Sequence, residues 1–238
     1  MKMLKIISFK IISFKICPFV QRVTAALNAK NIPYKIEYIS LKNKPQWFLD
    51  IAPNGQVPVL ITESGTALFE SDAIIEYIED EFGAIDPQIT NEQRAKDRAW
   101  SYLATKNYLL QCGTMGSKEE TVFKQKSAKL IAEFAKVEQQ LSTDSNFFKS
   151  NNLSNVDIAW LPLLHRAAIV KAHTGFDFLC CLPKMQKWQT SLLDSGAAKH
   201  TTSDDFEALF IDFYLTNTYL GNGEKELSAN DCNQVNCC

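Results

Sequence analysis

Lys15-Ile16-Cys17-Pro18-Phe19-Val20-Gln21-Arg22-Val23 places one cysteine between an apolar run and a proline that can open a helix. The residues before it, Lys10-Ile11-Ile12-Ser13-Phe14, are β-branched and aromatic, which suits a buried strand. Pro18 fits the first helical position, where its missing N–H would be unpaired anyway, and Ala25, Ala26, Leu27 and Ala29 are good helix formers. The stretch predicts a strand over 10–14, a helix over 18–30, and Cys17 at or beside the N-cap. Free N–H groups and the positive end of the helix dipole favour a thiolate there, so a pKa below the ordinary value of about 8.5 is expected. A buried structural cysteine is the competing reading of the same position.

Working outward, the five residues before the strand repeat it: Lys5-Ile6-Ile7-Ser8-Phe9 precedes Lys10-Ile11-Ile12-Ser13-Phe14. An odd offset turns equivalent residues of the two copies to opposite faces of a continuous strand, so only one copy can hold the native register. The second copy leads into Cys17 and is assigned to the strand; the first is its extension. Downstream the signals alternate, with a strand over 34–39, a helical turn over 45–50, strands over 57–61 and 67–69, and a helix over 71–82. This is a βαβ unit followed by a ββα unit. A linker over 85–90 carries Pro87, and helical periodicity then dominates over 91–111, 118–141, 155–173, 183–194 and 203–214. The expected organisation is a small α/β domain over 1–84, the linker, an all-helical domain over 91–220, and a polar, aperiodic tail over 221–238 read as disordered.

At 238 residues and 46% hydrophobic, the chain can bury one sizeable core or two smaller ones. A formal net charge of −2 gives no electrostatic footprint for nucleic acid or an anionic membrane. No apolar run nears the roughly 20 residues of a spanning helix, and Lys10 and Lys15 interrupt the signal-like start, so a cytoplasmic protein is expected. The seven cysteines are odd in number and fit neither a disulfide framework nor a zinc ligand set, and Val20 stands where a Cys-x-x-Cys partner of Cys17 would be. Reduced thiols in a reducing compartment, and no metal, are expected. His165, His173 and His200 share no ligand spacing, and the terminal Cys237-Cys238 lacks the usual lipidation form.

Two further motifs carry chemistry. In Gln56-Val57-Pro58-Val59-Leu60 a proline stands at the mouth of a strand, where a central ladder would lose a donor. A special backbone conformation such as a cis bond would leave the Val57 N–H and C=O free to pair with an extended, peptide-like ligand. An ordinary edge strand is the alternative. Glu70-Ser71-Asp72 then opens a helix, with Ser71 as the expected N-cap. The pair is suited to a ligand carboxylate and amine, or simply caps the helix.

Cys17-Pro18-Phe19, Leu41-Lys42-Asn43-Lys44-Pro45-Gln46-Trp47-Phe48, Gln56-Val57-Pro58-Val59-Leu60 and Glu70-Ser71 resemble, in order and spacing, the motifs of the cytosolic glutathione transferases, most closely the omega class. The resemblance covers roughly 10–210. It implies a thioredoxin-like N-terminal domain, an α-helical C-terminal domain, a homodimer, and glutathione as co-substrate. It also implies that Cys17 forms a mixed disulfide with glutathione, that Val57 beside cis Pro58 pairs with its cysteinyl backbone, and that Glu70 and Ser71 hold its γ-glutamyl end. Lys44 matches the lysine that reaches the glycyl carboxylate, and Phe19 follows the cysteine as in the family. The implied activity is glutathione-dependent thiol transfer and dehydroascorbate reduction. A rival on the same fold is a non-catalytic binding or scaffold protein, chloride-channel-like or a ligand carrier.

In the helical part, Ser154-Asn155-Val156-Asp157 reads as a capping box with Leu153 and Ile158 as hydrophobic staple, and Pro162 is expected to kink the helix that follows. Arg166 and Trp188 fall where the omega class has an arginine and a tryptophan lining its second-substrate pocket. Each has a bland counterpart, a surface ion pair or a core aromatic. Trp100, Tyr102 and Tyr108 are expected to be core.

Overall fold

A computed structural model describes residues 9–85 and 88–222. The N-terminal part runs β1 (Phe9–Ser13), α1 (Pro18–Ala29), β2 (Tyr34–Tyr38), α2 (Gln46–Ile51), β3 (Val59–Ile61), β4 (Ala67–Phe69) and α3 (Ser71–Phe82). Its strands form one sheet in the order β2-β1-β3-β4, with β1 parallel to β2 and antiparallel to β3, and β3 antiparallel to β4. This is the thioredoxin-like arrangement, with β1 central. Ile11 and Ile12 of β1 are both fully buried, so the central strand is covered on both faces. The second repeat copy supplies all of β1 except Phe9, which pairs with Tyr34. The rest of the first copy, 5–8, lies outside the described residues.

The helical part comprises α4 (Asn91–Met115), α5 (Glu120–Glu138), α6 (Asn155–Thr174), α7 (Pro183–Asp194), α8 (Phe206–Tyr214) and the short α9 (Tyr219–Asn222). Gly221 and Asn222 thus belong to a helical turn, and the remainder of the expected tail, 223–238, lies outside the described residues, as do 86 and 87 of the expected linker. α6 is the buried centre of this part and runs on through Pro162. Its capping box forms around a buried carboxylate. Asp157 Oδ2 accepts from the Ser154 N–H at 2.8 Å and from Ser154 Oγ at 2.6 Å, while Oδ1 accepts from the Phe148 N–H at 2.8 Å and Trp188 Nε1 at 2.7 Å. One carboxylate therefore ties the α6 cap to the preceding loop and to α7. Burial still pushes the Asp157 carboxyl up from its ordinary value, against these hydrogen bonds.

Trp188 is only 2% exposed and packs beside Phe148 and Trp160, with ring centroids 5.6 and 6.1 Å away. Of its two readings the structure gives the core aromatic. Tyr108 is also core, as expected; Trp100 and Tyr102 are half-buried. Cys17, Cys112 and Cys181 are free thiols among the described residues.

The two parts meet along α1 and α6. Gln21 Nε2 lies 3.0 Å from His165 Nδ1 and donates to Thr201 Oγ1 at 3.1 Å, and Thr24 Oγ1 donates to the Thr201 carbonyl at 2.8 Å. A buried polar seam of this kind fixes one docking geometry, because each group left unpaired would carry its full desolvation cost.

Candidate active site

Cys17 is the N-cap of α1, with φ −75° and ψ 122°, and Pro18 occupies the first helical position. Its N–H donates to the Phe14 carbonyl at 3.1 Å, which closes the turn leaving β1. The Sγ atom lies 4.0 Å from the Val57 carbonyl oxygen. Strand and helix thus hold Cys17 at the N-cap, as the spacing predicts, and the fold sets its sulfur beside the proline turn.

The Val57-Pro58 bond is cis. The expected strand over 57–61 begins only at Val59, because Pro58 has no N–H to give and the bend carries Val57 out of the ladder. Among the described residues the Val57 N–H has no hydrogen-bond partner, and its carbonyl meets only the Cys17 sulfur. Such a main-chain pair at the edge of a groove suits an extended peptide strand.

At the start of α3 the N-cap is Glu70, not Ser71, which is the first helical residue. Glu70 adopts φ 66°, a strained conformation for a residue with a side chain. Its carboxylate accepts from Asn54 Nδ2 at 2.7 Å, and Asn54 Oδ1 accepts from the Gln56 N–H at 3.0 Å. Asn54 therefore links Glu70 to the segment leading into Val57, a role sequence reading missed. The N–H groups of Ser71, Asp72 and Ala73 have no backbone partner, and the buried Ser71 hydroxyl makes no hydrogen bond among the described residues. This is an anion-receiving helix start. Lys44 forms no ion pair among the described residues. Its Nζ reaches the turn before Val57, 3.7 Å from where a Cβ on Gly55 would stand.

Phe19 turns the other way. Its ring packs edge-on against Tyr108 of α4 with centroids 5.0 Å apart, so it is a wall between the two parts, and its N–H is one of two that face the Cys17 sulfur. Cys112 lies one turn beyond Tyr108 on the same face of α4 and shares a hydrogen bond with Tyr214 of α8. Phe213 meets Phe14 at 6.2 Å, and Lys15 pairs with Asp205 at 2.6 Å, so α8 and the turn before it cover the Cys17 side of the cleft. The four-residue spacing of Tyr108 and Cys112 was the available sequence signal for this wall; nothing local marked Tyr214.

Arg166 is fully buried, so a surface ion pair does not describe it. Its Nη2 donates to the Ile16 carbonyl at 3.1 Å, its Nη1 to the Pro162 carbonyl at 3.0 Å and to Gln21 Oε1, and its guanidinium lies over the Phe206 ring.

This enclosure reverses the expectation for the thiol. Burial pushes Cys17 up to about 11, outweighing the downward pull of the Val20 and Phe19 N–H groups and of Arg166. Burial likewise raises the Cys112 thiol and Tyr108 and Tyr214. A separate cavity of about 590 Å³ between α3 and α4 is lined by Arg22, Glu76, Arg94 and Asp97, among others; none of the site residues expected from sequence lies in it. No group of three or more potential metal ligands occurs among the described residues, and no described helix is long and apolar enough to cross a membrane.

Residues 16–81 match the family described as glutathione S-transferase, N-terminal domain. Glutathione S-transferase omega-1 of Sus scrofa is 30% identical over 207 residues, covering 85% of this chain and 84% of that protein. Glutathione S-transferase DHAR2 of Arabidopsis thaliana is 30% identical over 158 residues, covering 66% of this chain and 70% of its own length. The crystal structure of glutathione transferase Omega 3C from Trametes versicolor superposes with a TM-score of 0.71 at 25% identity, over 82% of this chain and 89% of that one.

Proposed function

The chain belongs to the glutathione S-transferase family, and from that premise we propose that it is a glutathione-dependent thiol transferase and dehydroascorbate reductase of omega-like type. The observation that carries the reading is the cysteine at the N-cap of α1 with its sulfur 4.0 Å from the carbonyl of Val57, whose N–H is unpartnered among the described residues. Val57 would pair with the cysteinyl backbone of glutathione beside Pro58. The start of α3, with Ser71 and Glu70, would take the α-carboxylate and amine of the γ-glutamyl end, and Lys44 the glycyl carboxylate. A tripeptide with a carboxylate at each end fits those separated groups. Phe19 holds the opposite wall.

In the proposed reaction the Cys17 thiolate attacks the glutathionyl sulfur of a mixed disulfide. A Cys17–glutathione disulfide forms, and the substrate sulfur leaves as a thiolate that takes up a proton. A second glutathione thiolate then attacks that disulfide, releasing glutathione disulfide and restoring Cys17. Val20 occupies the position of a Cys-x-x-Cys resolving thiol, which is why an external glutathione is assigned the second step. Reduction of dehydroascorbate draws its two electrons and two protons from the same pair of glutathiones. Arg166 belongs to the buried floor of the second-substrate cleft in this reading, and Trp188 is left out of it. The family relation also supports a cytoplasmic homodimer working without a metal.

The test is glutathione-dependent reduction of a small mixed disulfide and of dehydroascorbate by the wild type and Cys17→Ala. Activity confined to the wild type supports the proposal. No activity in either, with no retention on immobilised glutathione, favours the non-catalytic rival.

A further inference from the structure

We propose that Arg166 is a positioning residue that aims Cys17 and supplies the positive charge its thiolate needs, reaching it from the helical part of the chain. Arg166 has no carboxylate partner among the described residues, although it is fully buried and its Nε finds no acceptor. A buried guanidinium without a counter-ion is costly, and the structure gives it only neutral carbonyl and amide oxygens. The acidic groups that bear on it are Cys112, Cys17, Tyr214 and Tyr108. Of these, Cys17 has its sulfur 4.0 Å from the Val57 carbonyl of the proline turn.

Position adds to charge. The Nη2 bond to Ile16 holds the carbonyl of the residue just before Cys17, and the Nη1 bond to Gln21 holds the first turn of α1, so the cysteine sits between two anchors of one rigid planar group. The Phe206 ring under the guanidinium and the Pro162 carbonyl fix that group in turn. Groups facing the Cys17 sulfur from the surrounding elements are the Phe19 and Val20 N–H groups of α1, Arg166 of α6, Tyr108 and Cys112 of α4, and Tyr214 of α8. Arg166 is the cation among them.

The inference deepens the functional reading, taking Cys17 as the reacting thiol, but its test needs no glutathione. The full chain is treated with iodoacetamide across pH 7–10; the Cys17 thiolate displaces iodide to form a thioether, and mass spectrometry of the tryptic peptide 16–22 reads Cys17 alone. Loss of the charge in R166Q is expected to slow alkylation at pH 8 about tenfold, as one unit of pKa would, while R166K keeps it within about threefold of wild type. A merely structural role predicts the opposite sign, since a loosened site admits the reagent faster. Should R166Q fail to fold, Q21E is the substitute: its carboxylate meets the guanidinium where Gln21 Oε1 now accepts, and the same slowing is expected. Faster or unchanged alkylation in folded R166Q, or in Q21E when it substitutes, overturns the proposal. The expected slowing in a chain that never forms a glutathione adduct supports the role of Arg166 and contradicts only the glutathione reading.

Discussion

The two walls around Cys17 are built from different materials. On the sheet side, Val57 and the start of α3 offer main-chain groups at a groove, with Glu70 exposed and Ser71 at its edge. On the helical side, Tyr108, Cys112 and Tyr214 offer side chains that burial raises in pKa, and Arg166 offers a buried guanidinium that burial lowers. In the proposed function the first wall would grip the ligand, and the second would set the state of the sulfur. Backbone donors need no titration to work, whereas a buried thiol answers to every charge and every water near it. Separating the two walls by substitution is therefore practicable.

The largest effect is expected where the helical wall is anchored. Asp157→Ala leaves four donors without their acceptor, and a loss of about 4 kcal/mol in urea unfolding is expected. Asp157→Asn, which keeps a carbonyl acceptor, should lose less. If both variants unfold at the wild-type midpoint, the helical wall does not depend on that carboxylate.

Next comes the seam between the parts. Burial and the nearby Arg166 hold His165 down at about 4 from its ordinary 6.5. The unfolded chain binds this proton below about 6.5 and the folded chain only below about 4, so stability is full above pH 6.5. It falls as pH drops through that window, by up to about 3 kcal/mol. Replacing His165 with Gln should flatten that part of the pH–stability curve. An unaltered acid slope would assign the sensitivity elsewhere.

The sulfur itself sharpens the comparison. With its thiol at about 11, alkylation of Cys17 should rise about tenfold per pH unit from pH 7 to 9 without a plateau. A plateau below pH 8 would mean that the start of α1, and not burial, governs the thiol. The exposed grip is expected to matter least. Lys44→Ala should raise the KM for glutathione about fivefold, near 1 kcal/mol, with kcat unchanged, because a half-exposed lysine contributes little to a screened contact.

The same division explains what could be read from the sequence. Elements carrying their own punctuation were legible: α3 and α7 have the expected bounds, and β4 does too. The proline at the mouth of β3 left a cis bond and an ordinary edge strand both open, and the structure has the cis bond. Where main-chain geometry is encoded by a local residue, the sheet-side wall follows. The thiol's pKa did not follow, because the helix start is local to Cys17 while its cover comes from Tyr108, Arg166 and Tyr214, which only folding brings near. Trp188 was ambiguous for the same reason, since its indole finds its partner in Asp157, 31 positions away. Glu70 displaced Ser71 as N-cap because Asn54, on another loop, holds its carboxylate.

The most direct measurement is intact-mass and tryptic-peptide mass spectrometry of the wild type and Cys17→Ala after exposure to glutathione disulfide. One glutathione on peptide 16–22 of the wild type, removed by excess reduced glutathione and missing from Cys17→Ala, is the predicted result. An unmodified peptide 16–22, with any adduct carried equally by both proteins, would contradict the assignment of Cys17 as the nucleophile.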